Sequence, residues 1–241
     1  MPTPATTSVA VTPTLLTIGG TVFIDRDIVT PSDPSELVSI TDAGTGNRTM
    51  FDRRLNAFAT FKAFLFNASY ANGRSVEIQV NPEFQNREKA RAEAEKYARL
   101  VGQLPRTLRR DLETVWIHQG VELFGGGNNN VLIHTGQASL YEQDGVIEEV
   151  LIHEAAHTSL DADHAASSGW LQAQADDRGF ISDYAEEFPS REDIAESFLP
   201  WMALRYGEDR ISADLAFTIR TRMPNRLVYF DAQSFPMAPV R

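Results

Sequence analysis

Residues 144–160, DGVIEEVLIHEAAHTSL, constrain the fold more than any other stretch of the chain. Val146, Ile147, Val150, Leu151 and Ala155 recur at helical spacing, which predicts an amphipathic helix with Glu148 and Glu149 facing out. On such a helix His153 and His157, four residues apart, project from one face a single turn apart. The chain must bury one side of this helix and leave the histidine face accessible.

Two imidazoles placed in that way can meet one Zn²⁺. Glu154 is next to the first of them and points toward the open side of the metal. There it can take a proton from a zinc-bound water and pass it to a leaving amine. This combination is why H-E-x-x-H on a helix reads as a metallopeptidase site.

The chain has no cysteine, so a metal here has to use His, Asp and Glu. A catalytic zinc takes three protein ligands and keeps one position open. Several residues compete for the third place. Asp163 is six residues beyond His157, but the sharp turn that spacing needs normally uses a glycine where this chain has Leu160. His164 is a free imidazole close in sequence. Glu192 and Glu196, in SREDIAES, are four apart on a second predicted helix and face one way. One of the pair could ligate while the other accepts the N–H of a zinc-bound histidine. An ordinary capped acidic helix start, with Ser190 and Asp193 as a capping box, accounts for the same residues. Glu192 is favoured as the ligand.

HEAAH followed on a later helix by Glu192-Asp-Ile-Ala-Glu196 resembles the gluzincin branch of the zincin metallopeptidases. Within it, the lethal-factor-like group is the nearest likeness, through Tyr184, eight residues before Glu192. The resemblance spans roughly residues 131–206. It implies a zincin-like α+β fold: a twisted mixed sheet with a backing helix and the active-site helix, and a smaller, mostly helical C-terminal subdomain. It also implies that Tyr184 donates to the oxyanion of the tetrahedral intermediate.

Around this centre, residues 1–20 are rich in Thr and Pro and read as extended, and 21–29 read as a strand. Residues 30–50 read as loop. Residues 57–81 read as a β-hairpin turning at Ala-Asn-Gly-Arg, and 86–104 as a helix ended by Pro105. TVWIH (114–118) and VLIHT (131–135) read as strands, the second as the sheet edge on which a peptide could pair. GVELFGGGNNN between them reads as a flexible connection, and His118 and His134 as core histidines. The helix beginning near Ser190 should kink or end at Pro200, and the tail after Met223 reads as strand and loop. Trp170, Phe180, Phe198, Trp201, Phe58, Phe61 and Phe64 are expected in the core. The division expected is an extended segment (1–20), an N-terminal α+β subdomain (21–160) and a C-terminal subdomain (161–241) that supplies the third ligand.

A net charge of −11 argues against nucleic-acid and anionic-membrane partners. It points to basic or neutral substrates. Arg106, Arg109 and Arg110 read as one solvated helix face. No apolar run approaches the roughly 20 residues a bilayer span needs, and the first residues do not form a signal peptide. The expectation is a monomeric zinc metallopeptidase acting on peptides or proteins, with an extracellular setting favoured. Two alternatives stand beside it: a catalytically silent binding protein of the same fold, and a zinc hydrolase of a non-peptide amide.

Overall fold

The computed structural model describes residues 12–21, 25–26 and 28–240. The architecture is α+β, with a six-stranded mixed sheet and, among the described residues, nine α-helices. Of the expected strand at 21–29, residues 22–24 and 27 lie outside the described residues. Those that are described there form turns and bends.

Two long strands open the sheet, β1 (Leu37–Asp52) and β2 (Ala57–Tyr70), and β3 (Ser75–Val80) completes an antiparallel meander with them. The hairpin read from 57–81 is therefore β2–β3. The expected loop at 30–50 is instead mostly β1. Its residues are largely polar because it lies at the sheet edge, and Gly44, at φ 82°, sits where its register shifts between Asp42 and Thr45. Helix α1 (Arg87–Gln103) starts at Asn86, whose side chain accepts from the Lys89 N–H, and it backs the sheet. It carries the chain over to β4 (Thr114–His118), parallel to β3. Strand β6 (Asn130–His134) pairs parallel to β4, and β5 (Gly125–Gly127) pairs antiparallel to β6.

The strand order β1-β2-β3-β4-β6-β5 corrects two expectations. Strand β6 is interior, and the edge belongs to the glycines of β5, not to VLIHT. Glycine carries no side chain from which alternation could be read, so the three-residue strand looks like a linker in sequence.

The remaining helices are α2 (Thr135–Asp144), α3 (Ile147–Ser159), α4 (Asp161–His164), α5 (Ser168–Asp176), α6 (Asp183–Glu187), α7 (Asp193–Tyr206), α8 (Ala213–Arg222) and α9 (Pro224–Ala232). One hydrophobic cluster runs from the inner face of the sheet through α1, α3 and α7 to α9. A smaller one, built on Met50, Ala63 and Leu65, lies apart, with Phe61 and Trp116 packed against it. Trp170, Phe198 and Trp201 are buried as expected, and Phe61, Phe64 and Phe180 are half-buried. Phe58 is 61% exposed and is not core.

Helix α7 runs through Pro200 without ending. Every residue from Asp193 to Leu204 is buried, and packing on that scale outweighs the roughly 3 kcal/mol that an interior proline costs. The tail forms α9, started by Pro224 at a position where a missing N–H costs nothing. Arg109 is buried against Glu36, so the arginine cluster at 106–110 is not a solvated helix face. No described helix is long and apolar enough to cross a membrane.

Candidate metal centre

Helix α3 follows Gly145, whose φ of 68° closes α2, and it carries both histidines of the motif. Its acidic first turn is not solvent-facing. Glu148 and Glu149 are both buried, and Glu149 accepts the Val29 N–H at 2.8 Å, which ties the N-terminal segment to the helix. Helix α7 packs across α3 and presents Glu192 at its start. The expected capping box is absent. The Glu192 carboxylate turns to the histidines, and Asp193 turns to Gln174, Ser197 and Arg226.

Three electron-rich atoms converge. His157 Nε2 is 3.1 Å from His153 Nε2 and 3.1 Å from Glu192 Oε2, and His153 Nε2 is 3.5 Å from that same oxygen. The other ring nitrogens face carboxylates. His157 Nδ1 is 2.8 Å from Asp161 Oδ2, and His153 Nδ1 is 3.3 Å from Glu196 Oε1. A carboxylate at each Nδ1 places the proton there and leaves the Nε2 lone pairs aimed at one point. Two lone pairs and a carboxylate oxygen this close repel unless a proton or a metal ion lies among them.

The spacing fits a metal. Ligand atoms held about 2.0–2.1 Å from a tetrahedral zinc lie about 3.3–3.4 Å from one another, and the three separations here bracket that value. The same field acts on protons. Burial opposes charging His157, but its hydrogen bonds to Asp161 and Glu192 outweigh it and raise the imidazole to about 10. Burial likewise works against the Glu192 carboxylate, yet both histidines and Arg191 hold it far below the usual range. His153, His157 and Glu192 could therefore hold a metal ion, and among the described residues no fourth side chain joins them.

A second layer steadies this group. Glu192 Oε1 accepts from Tyr184 Oη at 3.1 Å and from Arg191 Nε at 2.7 Å. Glu196 is fully buried and accepts from Thr21 Oγ1 and Ser182 Oγ, each at 2.5 Å. Thr21 arrives on an N-terminal strap pinned where Asp183 and Tyr184 N–H groups donate to the carbonyls of Ile18 and Gly20. Of the residues singled out in the sequence, His153, Glu154, His157, Tyr184 and Glu192 line one cleft, and Glu196 lies behind it. Asp163 and His164 do not join them. Asp163 binds Arg110 at 2.6 Å, and His164 Nδ1 meets Tyr229 Oη at 2.7 Å beside Phe235. Both follow the break at Leu160 and lie in α4 beyond Asp161, the one residue of that helix that lines the cleft. His118 and His134 are wholly buried and stacked, away from the metal group.

Sequence reasoning missed Asp161, Arg191, Thr21 and Ser182. Asp161 was legible as the residue one helical turn beyond His157. The hydroxyls left no local sign, since their partner is 175 residues away for Thr21 and 14 for Ser182.

The GGG stretch has a defined place. A Cβ on Gly126 would lie 1.9 Å from the carbonyl oxygen of Glu154, so only glycine lets β5 rest on the backbone of α3. The Gly127 N–H donates to Thr158 Oγ1 at 2.8 Å, one helical turn beyond Glu154. The cleft is thus walled by β5 on one side and by Tyr184, Arg191 and the strap residues Gly20 and Thr21 on the other. A smaller apolar cavity between Val29, Met202, Tyr206 and Val240 lies apart from the metal group. No protein-family model, curated protein or solved structure matches this chain.

Proposed function

We propose that this protein is a zinc-dependent metallopeptidase of the zincin type, in the gluzincin manner, with His153, His157 and Glu192 as ligands. The observation that carries the proposal is the convergence of two Nε2 atoms and one Oε2 beside Glu154 in an open cleft. When bound, zinc would supply Lewis acidity toward water and toward the scissile carbonyl.

Glu154 lines the cleft on the same helix and takes the proton from the attacking water, then gives it to the leaving amine. Asp161 and Glu196 face the Nδ1 atoms of the two imidazoles and orient them. Tyr184 rests on Glu192 Oε1, with Arg191 on the same oxygen. A swing of its phenol off that oxygen lets it donate to the developing oxyanion, while Arg191 keeps Glu192 in place. An extended substrate lies along the free edge of β5, where the backbone can pair with it.

A structural site closed by a fourth side chain is disfavoured, because His164 and Asp163 are held elsewhere. The test is Glu154→Ala, with zinc content and casein hydrolysis measured on the same samples. Zinc should remain at one per chain while hydrolysis falls by about 10²-fold or more, the scale of a lost general base. Undiminished hydrolysis would remove Glu154 from the reaction.

A further inference from the structure

We propose that the cleft selects peptides bearing a carboxylate on the side that runs past Tyr141, and that Arg53 is the residue that selects it. This deepens the peptidase reading and rests on it.

Arg53 sits at the tip of the β1–β2 hairpin, in a turn closed by the Leu55 N–H on Asp52 and the Asn56 N–H on Arg53. The tip brings it across to β5. There Nη2 donates to the Phe124 carbonyl at 2.7 Å and lies against Gly125. A Cβ on Gly125 would stand 3.0 Å from that nitrogen. The backbone of Gly125 is not in the left-handed region, and its nearest neighbour is this flexible end of the Arg53 side chain. Arg53 makes no ion pair with a described residue. Its neighbour Arg54, in the same turn, is taken by both Asp52 and Glu83.

The other charges of the cleft are committed. Glu192 faces the histidines, Asp161 holds His157, and Arg191 holds Glu192. Glu154 is the proposed base. Tyr141 lines the same cleft as Glu154 and Arg53: burial and the Glu154 charge raise its phenol, while Gln137 and Arg53 draw it back down. Leu123, 60% exposed, and Val150 and Phe124 complete an apolar wall beside it. A cleft with an apolar wall and a guanidinium in its lining beside Phe124 and Gly125 matches a side chain with methylenes and a carboxylate, bound by the planar fork of arginine. The chain as a whole is negative, so Arg53 acts at contact range and not by long-range steering.

Two measurements test this. Fluorescein-labelled hexapeptides differing only as Glu or Gln at one position, each as free acid and as C-terminal amide, are titrated by anisotropy against zinc-loaded Glu154→Gln protein, with and without Arg53→Ala. Cleavage of the same peptides is followed with wild type, Arg53→Ala and Arg53→Glu. The Glu peptide should bind, and be cleaved by kcat/KM, at least about tenfold better than its Gln twin. The preference should collapse in Arg53→Ala, and Arg53→Glu should favour Lys at that position. If instead the Glu and Gln free acids bind equally and amidation weakens both in an Arg53-dependent way, the selected group is the terminal carboxylate and not a side chain. Equal binding of Glu and Gln peptides that amidation leaves unchanged, a preference that survives Arg53→Ala, or no binding of any peptide overturns the assignment. Arg53-dependent acid binding without cleavage would uphold it and instead count against the peptidase reading.

Discussion

Gly126→Ala isolates the contact between β5 and the backbone of α3. The added methyl would sit 1.9 Å from the Glu154 carbonyl oxygen and 2.7 Å from its carbon. A carbon–oxygen contact relaxes only near about 3.3 Å, so β5 has to lift by roughly 1.4 Å. It cannot lift freely. Gly126 is paired opposite Val131, and the Gly127 N–H is held by Thr158. Overpacking of this kind costs about 1–3 kcal/mol. A central value of about 2 kcal/mol lowers the melting temperature of a chain this size by roughly 4–8 °C. Calorimetry on the metal-free protein reads this directly, with no assumption about activity. Gly125→Ala is the control, because its methyl meets only the end of the Arg53 side chain. If both variants melt within about 1 °C of wild type, β5 does not rest on the Glu154 backbone as described.

Three further outcomes are expected. Zinc at about 100 times its Kd should add about 2.7 kcal/mol of stability, and Glu192→Ala should remove most of that gain, measured by melting with and without chelator; an unchanged gain would take Glu192 out of the ligand set. Thr21→Val with Ser182→Ala should weaken zinc binding by about 10–100-fold by freeing Glu196 from its orientation, read by competition with a fluorescent chelator; unchanged affinity would leave the strap with a packing role alone. Burial lowers the His118 imidazole from 6.5 to about 4, so the unfolded chain binds a proton that the folded one refuses. Stability is therefore complete above about pH 6.5 and falls as the pH drops toward 4, by up to about 3 kcal/mol from this residue. Urea melts at pH 7 and 4.5 should show a smaller loss for His118→Gln than for wild type.

The parts of this molecule legible in sequence are those whose signals are local. Helix α3 and its histidines declare themselves by spacing, α1 by composition and its terminal proline, and β2–β3 by alternation around a turn. The convergence of Glu192 on His153 and His157 was expected from chemistry, since two imidazoles alone leave a zinc short of ligands. What was hidden depends on context. β1 is polar because it lies at an edge. β5 has no side chains to show a pattern, and its Gly126 answers to the Glu154 backbone on another element. Pro200 is tolerated only because α7 is buried along nearly its whole length. Glu148 and Glu149 look like a solvated first turn until the strap that binds Glu149 is in place.

The buried pairing of Arg226 with Asp177 and Asp193 bears on how the centre comes into being. Asp193 follows Glu192 directly, and its partner Arg226 is fully buried on α9. Glu196 in turn depends on Thr21, 175 residues upstream. The metal group spans residues 153 to 192, yet its supports reach from 21 to 226. During synthesis, chains emerge at about 5–20 residues per second, so Arg226 leaves the ribosome seconds after His153 and His157. A nascent chain that has displayed both histidines still lacks the clasp that sets Glu192. Tight metal uptake by this group would thus be a late event, coupled to closure of the whole chain and not to the appearance of the motif.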